Sequence, residues 1–189
     1  MRHHQQQQHQ HQHLHQHQQR GVTLVESLVV MVITAVVLTL GLPGFESARA
    51  RRHLDGMAAQ LETELSYARG MAVARNEMVR VSFENQGGAS CYVIHSGLPG
   101  DCSCLGAGPA VCKGSAHEFS TTQFGTRSPI GVTSNSRSIG FSPNYGTVTP
   151  TATMELANRR GQAVRLVINV MGRVRSCTPG SNLPGYAVC

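Results

Sequence analysis

The sequence predicts an α+β protein, with one long N-terminal helix packed on antiparallel β-sheets. Three observations carry this. Val22 to Leu42 is a membrane-length apolar run with a single charge, Glu26. From Leu54 to Ala72 apolar residues recur three and four apart, the spacing of one helix face. Beyond Asn76 the period becomes two, the pattern of half-buried strands, and helix followed by strands is an α+β order.

The apolar run comes first. Its 21 residues make about 31 Å of helix at roughly 1.5 Å each, enough to cross a hydrocarbon core of about 30 Å. A carboxylate inside that core costs roughly 2.5–3.5 kcal/mol on insertion scales, so Glu26 calls for a function. An ordinary signal anchor is the alternative, and it leaves Glu26 unexplained. Arg20 precedes the run, but Arg49, Arg51 and Arg52 follow it, so charge asymmetry does not orient the segment.

The helical period resumes beyond Gly41-Leu-Pro43-Gly44, where proline and glycine predict a kinked or loosened turn. Leu54, Met57, Leu61, Leu65, Ala68, Met71 and Ala72 form the stripe, with Glu62, Glu64, Arg69 and Arg75 mainly off it. The helix is expected to reach about residue 77. Strands are expected at Met78 to Phe83 and Cys91 to His95, joined across Asn85-Gln-Gly-Gly, then at Ser138 to Ser142, Gly146 to Thr149, Thr153 to Ala157, Ala163 to Val170 and Arg173 to Cys177. Asn158-Arg-Arg-Gly161 reads as a hairpin turn. Residues 96 to 118, rich in Gly, Pro and Cys, read as a long loop.

The six cysteines, at 91, 102, 104, 112, 177 and 189, all follow the apolar run, and an even count in an exported domain points to disulfides. Fifteen connectivities are open in principle. Cys177–Cys189 is the preferred pair, since it would close the C-terminal tail onto the preceding strand. The other four would then staple the long loop. Cys102-Ser-Cys104 lacks CxxC spacing and a nearby histidine to complete a zinc set, so bridging is favoured over metal.

Charge is uneven. Fifteen of the 16 basic residues are Arg, and from Leu156 to Cys189 there are five Arg and no acid. A surface of one sign attracts anions. Near the end stands Gly172-Arg173-Val174-Arg175. On a strand, positions two apart share a face about 6.6 Å apart, near the spacing of successive phosphates. Guanidinium groups grip phosphate in a bidentate fork. Gly172 permits a tight turn that would present both arginines. Arg159, Arg160 and Arg165 are accessory candidates from charge alone. The plainer reading is a solvated strand end. His53, His95 and His117 are the histidines beyond the leader, and no serine elbow, phosphate loop or carboxylate pair accompanies them, so neither an enzyme nor a cofactor is expected.

Gly21-Val-Thr-Leu-Val-Glu26-Ser resembles the N-terminus of type IV pilins and type II secretion pseudopilins. The resemblance implies that a prepilin peptidase removes residues 1–21, cutting after Gly21 and methylating Val22, where the class more often has Phe. It implies that Glu26 pairs with the amine of a neighbouring subunit during assembly, and that other pilins or pseudopilins are partners through this helix. Pro43 stands where many pilins carry a helix-loosening proline. Residues 22–43 would be embedded in the inner membrane as a single pass, and 44–189 would form a periplasmic pilin domain, later incorporated into a pilus or pseudopilus. The leader, Met1 to Arg20, is almost wholly His and Gln. Clustered His can bind metal, but this tract would be discarded.

The strand layout and Ile139-Gly-Phe-Ser-Pro-Asn-Tyr-Gly146-Thr-Val-Thr-Pro150 resemble the GspH/FimT family of minor pilins, which implies a pilin-like fold. Gly172-Arg-Val-Arg175 is similar to the GRxR element of FimT-type pilins, which bind DNA during natural transformation. The resemblance implies DNA contact by Arg173 and Arg175. The alternative is a structural subunit, either one that initiates a pilus tip or a GspH-like pseudopilin, without DNA binding.

Overall fold

The computed structural model describes residues 22–106, 108–180 and 183–189, with backbone alone at 40–43. Gly21 and the His/Gln leader, on which the expected cut falls, lie outside the described residues, as does the side chain of Pro43. The chain divides at Gly44/Phe45 into two units.

One helix, α1 (Leu24–Arg75), begins in the first unit and runs without a break past Pro43, so the expected loosening does not end it. Its start follows from Thr23-x-x-Glu26, a capping-box pattern. The Thr23 hydroxyl accepts a hydrogen bond from the Glu26 N–H at 3.2 Å. The Glu26 carboxylate makes no hydrogen bond or ion pair among the described residues. From Val22 to Leu38 the large apolar side chains are 48–82% exposed, so this stretch is apolar and uncovered. A helix apolar on every side requires apolar surroundings. It is long and apolar enough to cross a membrane.

In the second unit α1 becomes one-sided. Leu54, Ala58, Leu61, Leu65, Ala68 and Ala72 are all buried, and the small alanines let the sheets approach closely. The helix stops at a Schellman motif with Asn76 in the left-handed region, φ 52°. There Glu77 N–H donates to Ala72 C=O and Asn76 N–H to Val73 C=O.

Among the described residues eleven strands follow: β1 (Val79–Gln86), β2 (Ala89–Ser96), β3 (Cys102–Ser103), β4 (Val111–Cys112), β5 (Glu118–Phe124), β6 (Ile130–Ser134), β7 (Ser138–Phe141), β8 (Val148–Thr149), β9 (Ala152–Asn158), β10 (Ala163–Ile168) and β11 (Val174–Cys177). They pair antiparallel into sheets ordered β5-β2-β1-β7-β8, β11-β10-β9-β6 and β3-β4. The helix stripe and the inner faces of both larger sheets share one core. The expected loop at 96–118 contains the β3–β4 pair, and two strands, β5 and β6, form where no strand was expected.

That loop is held by Cys91–Cys104 and Cys102–Cys112. It covers the outer face of β2, where Cys91, Val93, Cys102 and Cys104 form a second small core. Cys177–Cys189 closes the tail, a loop size worth about 2–4 kcal/mol. Leu183 of that tail is buried in the main core, and Arg51 donates to the Pro184 carbonyl.

β10 is bounded by two copies of one turn, Asn158-Arg-Arg-Gly161 and Asn169-Val-Met-Gly172. In each the glycine N–H donates to the asparagine C=O, and the asparagine N–H donates to the carbonyl of the residue after the glycine. The asparagine Oδ1 accepts two further backbone N–H groups. This is the three-residue hairpin loop with a glycine bulge, which requires positive φ at the glycine: 78° at Gly161 and 73° at Gly172. It also explains why β10 stops at Ile168, short of the expected Val170.

Two predictions follow from these contacts. A Cβ at Gly161 would meet nothing within 4 Å, whereas one at Gly172 would lie 3.0 Å from the Gly146 carbonyl and 3.2 Å from Arg69 Cδ. Gly161→Ala should lose about 1–2 kcal/mol through backbone strain alone, and Gly172→Ala should lose more. Denaturant midpoints of the two variants test the order; equal losses would mean that the Gly146 contact yields freely.

The second concerns His95, which is fully buried on β2. Its Nε2 is 2.8 Å from Ser82 Oγ, and its Nδ1 is 2.7 Å from the Ser96 carbonyl. Burial holds its pKa below the ordinary imidazole value; the Ser96 carbonyl opposes this, and Arg80 adds to it. The unfolded chain therefore takes up the proton more readily. Stability should be full above about pH 6.5 and decline as pH falls from there through the folded value. Thermal unfolding from pH 7.5 to 5 should show this decline, and His95→Gln should reduce it.

Candidate nucleic-acid interface

The β10–β11 turn sets the site. Arg173 lies just before β11 rather than within it, and Arg175 is inside it. Both are exposed, while Val174 between them packs against the core. The alternation expected of a strand therefore holds across the strand boundary, and the two arginines share a side. Neither guanidinium has a hydrogen-bond or ion-pair partner among the described residues. Arg175 stands opposite Val167 of β10, which is also exposed.

The remaining candidates do not gather there. Arg159 and Arg160 occupy the turn at the other end of β10. Arg159 donates to the Thr126 carbonyl, and Arg160 pairs with Glu46 at 3.2 Å. Arg165 lies on the same face of β10 as Val167 but is held by Glu155 at 2.6 Å. A guanidinium already matched to a carboxylate is poorly placed to neutralise a phosphate. Gly172 shapes the turn through its backbone.

Folding adds an arginine that sequence reasoning left on the solvent side of the helix. Arg69 lies about 36 Å along α1 from Phe45, and its stem passes between two turns. A Cβ on Gly146 would fall 2.7 Å from Arg69 Nε, and one on Gly172 would fall 3.3 Å from the same atom. Both glycines have positive φ, 61° and 73°, so neither position suits a side chain. Arg69 is exposed and likewise has no partner for its guanidinium among the described residues. The only signal for it was a cation off the apolar stripe. The β7–β8 loop is fastened here too, since Val148 N–H donates to the Val170 carbonyl at 2.8 Å. That loop carries Tyr145, 79% exposed, and the tip of the β10–β11 turn carries Val170 and Met171, 53% and 61% exposed.

Elsewhere, Glu84, Cys91 and Cys104 lie within 4.8 Å of one another. Both cysteines are bridged, and the Glu84 carboxylate accepts from the Ser103 hydroxyl and the Cys104 N–H, so the group is structural.

Comparison with known proteins places this geometry in a family. The model described as type II transport protein GspH matches residues 57–172, and the prokaryotic N-terminal methylation motif matches residues 16–42. No curated protein matches the chain. Among solved structures, the type IV minor pilin FimU of Pseudomonas aeruginosa is similar in two crystal forms. One is 19% identical, with 69% of this chain and 96% of that chain covered and a TM-score of 0.43. The other is 18% identical, with 68% and 98% covered and a TM-score of 0.42. With more than half its length matched, and a methylation motif over its apolar N-terminus, the chain belongs to the GspH family and is a minor pilin or pseudopilin.

Proposed function

We propose that this subunit is a minor pilin of a type IV pilus that binds DNA through Arg173 and Arg175 during natural transformation. The observation that carries the reading is the pair of exposed guanidiniums, free of acidic partners among the described residues, on one side of the β10–β11 hairpin. The stretch from Leu156 to Cys189 has no acid of its own, and the acids that the fold brings to it, Glu155 and Glu46, are matched to Arg165 and Arg160 rather than to Arg173 and Arg175. Backbone-directed contact of this kind is weakly selective for sequence. A structural assembly or tip subunit, or a secretion pseudopilin, is the second reading, favoured by the family's description as a type II transport protein. The chain would be held in the inner membrane by a single pass, with its domain in the periplasm.

The processing steps belong to the same proposal. Prepilin peptidase would cut after Gly21, leaving Val22 N-methylated and Glu26 free to meet the amine of a neighbouring subunit. An opposite charge would offset the desolvation of that carboxylate. Mass spectrometry of the mature protein should find Val22 first; a mature chain keeping the His/Gln tract would reject the assignment. Glu26→Val should insert into membranes yet enter filaments poorly.

For DNA, each phosphate contact contributes about −0.9 to the slope of log K against log salt on a duplex. Arg173→Gln with Arg175→Gln should therefore flatten the slope by up to about 2 units in the detergent-solubilised full chain. Lysine at both positions should retain part of the affinity, because charge survives and the fork is lost. In cells the Gln pair should take up less DNA while still making pili. Equal affinity of wild type and the Gln variant at low salt, with the fold intact, would favour the structural reading.

A further inference from the structure

We infer that the same end of the domain holds a stacking position for an unpaired base, with Tyr145 as the platform, so that the ligand is single-stranded DNA or a frayed duplex end. This rests on the DNA reading above and adds the strand form. Tyr145 is among the most exposed large side chains of the domain, although it sits in a loop tied to the β10–β11 turn. The tie is close: the Gly146 carbonyl lies 3.0 Å from where a Gly172 Cβ would stand, and Arg69 fills the space between the two glycines. Tyr145 immediately precedes Gly146, and Arg173 immediately follows Gly172. An exposed ring is thus anchored within one residue of the contact that also fixes the first arginine.

The chemistry of the surround fits a nucleotide. Val170 and Met171 add exposed apolar surface on the turn to which this loop is tied, and Arg69, Arg173 and Arg175, whose guanidiniums have no partner among the described residues, lie on the elements that meet at the Gly146–Gly172 contact. Single-strand sites combine these elements, a cationic track for the backbone and an aromatic face for the bases. Duplex DNA offers the phosphates but keeps its base faces stacked inside. Arg69, rooted on the helix rather than on the hairpin, brings a third cation to the contact that Tyr145 adjoins.

The test uses the full chain in detergent, an oligo(dT) of about 12 nucleotides and a blunt duplex of similar charge. Tyr145→Ala should weaken oligo(dT) binding about 10-fold or more and leave duplex binding within about 2-fold. Tyr145→Phe should restore single-strand affinity, because the ring is kept. Arg69→Gln should weaken both ligands. Equal loss on both ligands in Tyr145→Ala, or no loss on either, would overturn the stacking position while leaving the arginine reading intact. If wild type binds neither ligand at low salt, the DNA reading fails and this one with it. Since Tyr145 is exposed and outside the core, a loss of fold does not confuse the result.

Discussion

The packing of the α1 stripe on two sheets is the contact on which the rest of this domain depends. One helix must satisfy two surroundings. Before Leu38 it is apolar and uncovered and needs lipid or other helices; from Leu54 onward it is apolar on one side and needs the sheets. The second part is achieved with small residues. Ala58, Ala68 and Ala72 share the buried stripe with Leu54, Leu61 and Leu65, and their small side chains leave room for the strands to come close. Because β1 leaves the helix through a Schellman turn only a few residues after Ala72, the direction of the first sheet is set by the last turn of the helix.

Beyond that core the domain relies on cross-links. β2 is buried almost throughout, which an antiparallel strand with one wet face would not be. The reason is the disulfide-bound loop lying over it, whose own apolar content is small. Two bridges replace the apolar area the loop lacks, as in small exported domains generally. The tail behaves likewise: one bridge and one buried leucine, Leu183, hold a segment rich in Gly and Pro.

Much of this was legible in sequence because periodicity reports burial. The helix stripe, the β1–β2 hairpin and the strands from β7 to β11 all alternate clearly. β5 did not announce itself because it is an edge strand, half-buried along most of its length, with Ser, Thr and Gln at positions that never reach a core. β6 is five residues long, and Gly131 interrupts its pattern. For the site, the Gly172-Arg-Val-Arg175 run could be read directly, since its parts are adjacent in the chain. Arg69 and Tyr145 could not. They lie on a helix and on another hairpin, and only the close approach of Gly146 to Gly172 brings them to the arginines. Arg159 and Arg160 are equally basic, yet the strand β10 holds them at its other end.

β11 is the last strand of its sheet. One side of its backbone is paired with β10, and the other faces outward. The tail meets the end of the strand, where Cys177 is bridged to Cys189 and Thr178 pairs with Val188. The length before that, Val174 to Ser176, presents backbone donors and acceptors that could accept a strand from another copy. Charged side chains on such edges deter that pairing, because a second strand would bring its own charges against them. Arg175, with Arg173 at the entrance, thus guards an unpaired sheet margin. The two cations proposed to meet phosphate stand where a neighbouring strand would otherwise add to the sheet.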